Sequence, residues 1–193
     1  MVKVNGARLW SSLMEMAAVG GTPKGGVRRL ALTEEDAAGR ALFTRWCDEA
    51  GMTMSSDRVG NLFARRAGKS ANARPVASGS HLDTQPEGGR FDGVYGVLAA
   101  LEVVRTLDDA GIETDKPIEI VVWTNEEGAR FTPAMLGSAA FAGVMPLEHA
   151  LASRDAQDIS VADALVATGY AGERAIPGEP FDAYFEAHIE QGP

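Results

Sequence analysis

The sequence predicts an α/β protein with a mostly parallel mixed sheet and flanking helices. Two observations support this class. Short apolar runs alternate with longer stretches of helical periodicity, and polar, glycine-containing loops separate them. The length of 193 residues and the hydrophobic fraction of 45% suffice for one domain with a buried core. The sequence contains no internal repeat and no linker-like segment, so we treat residues 1–193 as a single domain.

The first part of the chain predicts two helices followed by two strands. Apolar residues recur at helical spacing over residues 7–18, which indicates a helix. Thr33 is suited to cap a second helix, which carries acidic residues in its first turn and ends at Gly51. Short strands are predicted at residues 52–57 and 61–66, with a turn between them.

Three further strands are predicted at residues 75–80, 118–123 and 181–189, and a polar cluster lies at or after the end of each. The clusters are Ser80-His81-Leu82-Asp83, Asn125-Glu126-Glu127-Gly128 and His188-Ile189-Glu190-Gln191. In open α/β sheets, ligand crevices lie beyond the carboxyl ends of the strands. The three clusters are therefore expected to meet in one crevice, although they lie far apart in the sequence.

The segments between these strands predict helices. A long helix opens at Asp92 and stops near Gly111, and residues 134–152 are predicted to be largely helical. Ser160, with an acidic residue three positions on, starts another helix that ends at Gly169. Together with the strands, these helices complete the alternating pattern of the α/β class.

Charge and motifs exclude several classes of function. The net charge of −9 argues against binding to nucleic acid or to an anionic membrane surface, both of which require a basic face. The sequence has no Gly-x-Ser-x-Gly elbow, no Gly-x-Gly-x-x-Gly and no phosphate-binding loop. Cys47 is the single cysteine, which rules out an internal disulfide and a cysteine-based zinc cluster. No signal peptide and no membrane-length apolar run are evident, so a cytoplasmic location is expected.

The residue types in the clusters suit a divalent metal ion. Imidazole and carboxylate ligands fit zinc, manganese or cobalt better than calcium. Asp83 lies two residues after His81 and is suited to accept a hydrogen bond from the ring nitrogen that does not bind metal. Asp92 lies among glycines and has two oxygens with which it can bridge two ions.

Glu126 and Glu127 are adjacent, and adjacent carboxylates cannot both take the same role. One can bind metal while the other accepts a proton from water that the metal has made acidic. The sequence alone leaves the order of the two residues open. His149 lies among residues without a polar partner set and is expected on the surface.

Four stretches of this sequence resemble the hydantoinase/carbamoylase family of amidases, which belongs to the clan of di-zinc aminoacylases and carboxypeptidases. They are Gly79-Ser80-His81-Leu82-Asp83-Thr84-Gln85-Pro86, Gly88-Gly89-Arg90-Phe91-Asp92-Gly93, Thr124-Asn125-Glu126-Glu127-Gly128-Ala129-Arg130-Phe131 and His188-Ile189-Glu190-Gln191-Gly192-Pro193. The likeness extends over essentially the whole chain. The fold it implies is the N-terminal part of a di-zinc aminopeptidase-like catalytic domain.

The resemblance also implies roles for the site residues. Asp92 would bridge two divalent metal ions, His81 and His188 would complete one ion, and Glu127 would bind the other. Glu126 would be the general base, and Gln191 would contact the substrate. The expected metal is Zn²⁺, with Mn²⁺, Co²⁺ or Ni²⁺ as alternatives.

The function that the resemblance implies is hydrolysis of a linear amide or ureido C–N bond in a small molecule. The expected reaction converts an N-carbamoyl-L-amino acid into the L-amino acid, carbon dioxide and ammonia. One alternative is hydrolysis of allantoate or 3-ureidopropionate, and another is an aminoacylase or dipeptidase of the same clan.

The chain departs from the family pattern in its extent. Family members continue after the fourth motif into a smaller lid domain, through which they dimerise, and then return to deliver a last histidine to the second metal. The histidines of this sequence are His81, His149 and His188. The sequence therefore predicts an incomplete catalytic domain without the lid, and an inactive fragment that only binds metal is a further hypothesis.

Overall fold

A computed structural model describes residues 2–191 of the chain. Gly192 and Pro193, the end of the fourth motif, lie outside the described residues. The strands are β1 (Thr53–Ser56), β2 (Leu62–Arg66), β3 (Val76–His81), β4 (Ile118–Trp123) and β5 (Ala183–Phe185). The helices are α1 (Gly6–Ala18), α2 (Glu34–Glu49), α3 (Val94–Asp109), α4 (Leu136–Phe141), α5 (Leu147–Ala152) and α6 (Val161–Thr168).

The five strands form one mixed sheet in the order β1-β2-β4-β3-β5. β3 pairs in parallel with both β4 and β5, whereas β2 is antiparallel to β1 and to β4. Only β2 runs against the other four strands, so the predicted mixed α/β sheet is confirmed. His81 pairs with Trp123 at the end of the β3–β4 ladder, which brings the loops after these two strands to the same edge.

Buried apolar residues fill both faces of the sheet. Helices α1, α2 and α3 cover one face, where Phe43, Leu101 and Val122 are fully buried in the largest cluster. Phe63 and Val121 belong to a smaller cluster on the opposite face. A further cluster lies among the short helices α4, α5 and α6. The sheet is therefore a rigid support for the loops at its carboxyl edge.

A buried ion pair connects α2 to the end of β4. The guanidinium of Arg40 donates to Asp36 at 2.8 Å, to the carbonyl oxygen of Gly60 at 2.6 Å and to Thr124 Oγ1 at 3.2 Å. Both charged side chains are almost completely buried. Because Thr124 directly follows β4, this network holds the start of the segment that carries Glu126.

Three predicted elements differ in extent from those observed. The long helix starts at Val94 and not at Asp92, because Gly93 adopts a left-handed φ of +65° that cannot continue a right-handed helix. The segment 134–152 forms two short helices, separated by a turn in which Gly143 has a φ of +73°. The last strand covers Ala183–Phe185 only, because the chain leaves β3 after Phe185.

The other elements follow the prediction closely. Thr33 caps α2 with its side chain, and Ser160 caps α6 in a reciprocal capping box with Asp163. Gly169 ends α6 in the left-handed conformation. Among residues 2–191, none of the helices has the length and apolar character needed to cross a membrane.

Candidate metal centre

The three histidine and aspartate side chains predicted to bind one metal ion converge at the carboxyl edge of the sheet. His81 is the last residue of β3, Asp92 precedes α3, and His188 lies three residues after β5. The Nε2 atoms of His81 and His188 are 3.7 Å and 3.4 Å from Asp92 Oδ1. One potential ligand atom from each residue lies within 4.8 Å of the others, which is the spacing of ligands around a single ion. This group can therefore hold a metal ion.

The hydrogen bond of His81 fixes which ring nitrogen faces this centre. Its Nδ1 lies 2.9 Å from the backbone carbonyl oxygen of Asp83. A carbonyl oxygen can only accept, so Nδ1 carries the hydrogen and Nε2 presents its lone pair. The ring is almost completely buried, so it is held in this orientation. His81 is thus preorganised as an Nε2 ligand.

The carbonyl oxygen and the carboxylate of Asp83 contact different partners. The sequence predicted that the carboxylate accepts from His81, but Oδ1 lies 3.9 Å from His81 Nδ1, and the carbonyl oxygen is the closer partner. The carboxylate instead accepts the backbone N–H groups of Glu126 and Glu127, each at 3.2 Å. Asp83 therefore links the loop after β3 to the loop after β4.

The turn that carries the two glutamates depends on Asn125. This residue has a φ of +51°, in the left-handed region that asparagine tolerates better than most residues. Its side chain donates to the carbonyl oxygen of Phe131 at 2.7 Å and accepts the Phe131 N–H at 3.2 Å. The side chain of Asn125 therefore closes the turn, and the turn directs Glu126 and Glu127 outward.

Glu126 and Glu127 occupy different positions around the centre. Glu126 Oε2 lies 3.3 Å from His81 Nε2, beside the group formed by the two histidines and Asp92. Glu127 Oε2 accepts a hydrogen bond from Gln85 Nε2 at 2.7 Å. Glu127 and Asp92 line a cavity of about 340 Å³, together with Gln191. The two carboxylates thus contact different neighbours, His81 and Gln85.

Gln191 is fixed by two hydrogen bonds. Its backbone N–H donates to Asp92 Oδ2 at 2.8 Å, and its side-chain Oε1 accepts the Phe91 N–H at 2.8 Å. Gly89 leaves the space for this side chain, since a Cβ there would lie 2.4 Å from Gln191 Oε1. Gln191 lines the cavity but also holds Asp92 in place.

Glu186 is a residue of the centre that the sequence interpretation missed. Its Oε1 lies 3.1 Å from His188 Nδ1 and accepts the hydroxyl of Ser80 at 2.6 Å. The spacing Glu186-Ala187-His188, with a carboxylate two positions from an imidazole, is the signal that could have identified it. His149, in contrast, lies exposed on α5, as the sequence predicted.

The centre concentrates negative charge in a partly buried space. Burial raises the pKa of Asp83 to about 6. Burial also raises the pKa of the Glu126 carboxyl above its usual value, and the charge of Glu127 adds to this effect. Burial opposes protonation of His81, but the charges of Asp83 and Glu126 outweigh it and raise the imidazole pKa. A bound cation would offset this negative charge.

Comparisons with known proteins show the family to which this chain belongs. The family model described as Peptidase family M20/M25/M40 matches residues 77–193, which include all the predicted site residues. This family implies divalent metal ions. The N-carbamoyl-L-amino-acid amidohydrolase of Rhizobium meliloti is 53% identical over 99% of this chain and 46% of its own length. The ureidoglycolate hydrolase of Arabidopsis thaliana is 33% identical over 100% of this chain and 42% of its own length.

Solved structures give the same result for the fold. A hydantoinase/carbamoylase family amidase from Burkholderia ambifaria matches with a TM-score of 0.96 and 69% identity, covering 100% of this chain and 47% of that one. An amidase of the same family from Burkholderia multivorans matches with a TM-score of 0.97 and 58% identity, covering 98% and 46%. The chain thus spans about half the length of the relatives and structures that it matches.

Proposed function

This chain belongs to peptidase family M20/M25/M40, and we propose that it forms the metal-binding part of an amidohydrolase acting on N-carbamoyl-L-amino acids. The observation that carries the proposal is the convergence of His81 Nε2, His188 Nε2 and Asp92 Oδ1, with the Glu126 carboxylate beside them. The N-carbamoyl-L-amino-acid amidohydrolase names of the relatives at 53% and 46% identity favour this substrate class.

The donor set suits a divalent ion of the zinc type. Two neutral imidazole nitrogens and one carboxylate leave a coordination position open, as catalytic zinc sites do. We propose Zn²⁺, with Mn²⁺, Co²⁺ and Ni²⁺ as alternatives that accept the same ligands. Asp92 and Glu127 line the adjacent cavity and would contribute to a second ion. A divalent ion held here would act as a Lewis acid that acidifies water and polarises a carbonyl group.

Glu126 is the proposed general base. Its carboxylate is partly buried and lies next to His81, so it can take a proton from a water molecule that attacks the ureido carbonyl carbon. The water oxygen bonds to that carbon, the C–N bond breaks, and Glu126 returns the proton to the leaving nitrogen. The carbamic acid left by this step then loses carbon dioxide, which breaks the second C–N bond and gives the L-amino acid, carbon dioxide and ammonia as products. The hydrogen bond from the Glu126 N–H to Asp83 holds the backbone of Glu126 for this transfer.

A second ureido substrate is supported by a specific observation. The Arabidopsis relative, at 33% identity over the whole of this chain, is named a ureidoglycolate hydrolase. Ureidoglycolate and N-carbamoyl amino acids share the ureido group that the proposed centre would attack. Allantoate and 3-ureidopropionate carry the same group and belong in the substrate panel. The higher identity to the carbamoyl enzymes favours the first proposal.

The test measures hydrolysis and metal content in parallel. The purified chain is stripped with a chelator and reloaded with Zn²⁺ or Mn²⁺. It is then assayed for ammonia release from N-carbamoyl-L-amino acids, their D-isomers, ureidoglycolate, allantoate and 3-ureidopropionate. We expect Glu126→Gln to abolish hydrolysis and to retain metal. The control Glu173→Gln replaces an exposed carboxylate and should match the original chain in both hydrolysis and metal content. Metal binding without hydrolysis of any substrate would instead support a chain that only binds metal.

A further inference from the structure

A continuous series of hydrogen bonds leads from β4 to His188. Trp123 Nε1 donates to Tyr184 Oη at 2.9 Å, and Tyr184 Oη donates to Glu186 Oε2 at 2.7 Å. The other oxygen of Glu186 lies 3.1 Å from His188 Nδ1. We propose that Glu186 is a positioning residue that holds His188 with its Nε2 lone pair toward Asp92. This inference rests on the metal centre of the proposed function.

The partners of His188 Nδ1 determine the tautomer. Ser80 Oγ gives its hydrogen to Glu186 Oε1 at 2.6 Å, so near the ring both the carboxylate and the hydroxyl present lone pairs. Two acceptors at Nδ1 require that this nitrogen carries the hydrogen. His188 Nε2 is then unprotonated and lies 3.4 Å from Asp92 Oδ1. Glu186 thus has the effect on His188 that the Asp83 carbonyl oxygen has on His81.

His188 needs such a support more than His81 does. The side chain of His188 is 32% exposed, whereas that of His81 is 1% exposed. His81 belongs to β3, but His188 lies three residues beyond the end of β5. Packing and the strand ladder fix His81, and neither fixes His188 to the same degree. A hydrogen-bonded carboxylate is the usual means of orienting a metal-binding histidine.

Glu186 is itself held on two sides. A tryptophan N–H can only donate, so its bond to Tyr184 occupies a lone pair of the phenol and directs the phenol hydrogen to Glu186. Tyr184 and Glu186 are two residues apart, so they lie on the same side of the extended chain. Ser80 anchors the second oxygen from β3. The carboxylate is therefore fixed to two strands of the sheet before it contacts the ring.

The experiment titrates the metal-free chain with Zn²⁺ by calorimetry and records the ¹⁵N shifts of its histidine rings, which distinguish the two tautomers. The variants are Glu186→Ala, Glu186→Gln, Tyr184→Phe and His188→Ala. Glu179→Ala is the matched control, because Glu179 is an exposed carboxylate on the same segment. Circular dichroism checks that each variant is folded.

We expect Glu186→Ala to weaken Zn²⁺ binding by about 10- to 100-fold, the usual range for such partners. The Nδ1–H tautomer of His188 should lose population in the same variant. Glu186→Gln should lie near the lower end of that range, because its neutral amide still offers one acceptor. Tyr184→Phe should have a smaller effect, and Glu179→Ala none. If Glu186→Ala does not fold, the isosteric Gln variant decides by the same two measurements.

Two outcomes overturn the inference, and they differ in what they imply. If both Glu186 variants keep the affinity and the tautomer of the original chain while His188→Ala loses Zn²⁺, Glu186 is not a positioning residue, and the metal centre stands. If His188→Ala binds Zn²⁺ as tightly as the original chain, His188 is not a ligand, and the proposed centre fails together with the inference. Loss of affinity and a changed tautomer in Glu186→Ala support the inference.

Discussion

The imidazole ring of His81 occupies the space that a side chain on Gly93 would fill. A Cβ built on Gly93 would lie 2.4 Å from Nε2 and Cδ2 of the ring. Gly93 also has a φ of +65°, which L-residues with a side chain rarely adopt. The glycine therefore permits two features at once: the sharp turn between Asp92 and α3, and the close approach of His81 to this turn.

Replacing Gly93 with alanine should disrupt the metal centre. The new methyl group must displace the His81 ring or the turn, and either movement separates His81 Nε2 from Asp92 Oδ1. We expect Gly93→Ala to lose most of its Zn²⁺ affinity in a calorimetric titration and to have a lower free energy of unfolding in urea.

Gly111→Ala is the matched control for this substitution. Gly111 has a similar φ of +62°, but nothing lies within 4 Å of the position that a Cβ would take there. The control should cost only the backbone strain of about 1–2 kcal/mol and keep its metal affinity. Equal Zn²⁺ affinity in the two variants would show that the contact between Gly93 and His81 does not shape the centre.

The sequence predicted the convergence of the site because that convergence follows from strand direction. His81 ends β3 and Glu126 follows β4, its parallel neighbour, so their proximity requires only the pattern of these two strands. The difference in position between Glu126 and Glu127 could not be predicted this way. It depends on the left-handed turn at Asn125 and on the backbone hydrogen bonds to Asp83, which are tertiary features.

The spacing to His188 marks Glu186 as a candidate, but no local pattern predicts how Glu186 is anchored. Its partner Ser80 lies 106 positions away, and the contact exists only because β3 and β5 pair in parallel. The same pairing determines the length of β5. Alternation suggested a strand to Ile189, but only Ala183–Phe185 has a neighbouring strand with which to form hydrogen bonds.

Asp83→Asn should loosen the turn that carries the two glutamates. An asparagine keeps one acceptor oxygen, while its NH₂ group would face the second backbone N–H and leave that donor unsatisfied. The expected cost is about 1–3 kcal/mol in the free energy of unfolding, with a lower rate of hydrolysis because Glu126 loses its fixed position. Urea unfolding and the ammonia assay measure the two effects.

Asp115→Asn serves as the control for this change, since the Asp115 side chain is 88% exposed. It should change neither quantity by a measurable amount. If Asp83→Asn behaves like this control in both measurements, the carboxylate of Asp83 does not organise the loop after β4.

Removal of the buried Arg40 guanidinium should destabilise the whole domain. Arg40→Ala leaves the Asp36 carboxylate buried without its counter-ion and leaves the Gly60 carbonyl oxygen without this donor. Breaking a buried pair by removing one partner costs about 3–5 kcal/mol. Arg45→Ala on the same helix removes a 58% exposed guanidinium and should cost about 0–1 kcal/mol. Urea unfolding measures both, and equal losses would contradict the importance of the buried network.

Cys47 should be protected from thiol reagents in the folded chain. The residue is fully buried on α2, and burial raises the pKa of its thiol to about 12. Between about pH 9 and about pH 12 the folded thiol keeps its proton, whereas the thiol of the unfolded chain, whose pKa is near the usual value, loses it. The contribution of Cys47 to stability is therefore lost as the pH rises through this range. At pH 8 the thiolate is the reactive form and is scarce in the folded chain.

We expect one thiol to react with Ellman's reagent in guanidinium and almost none without it, with Cys47→Ala as the blank. Rapid reaction of the folded chain would mean that the contact between α2 and the sheet opens readily.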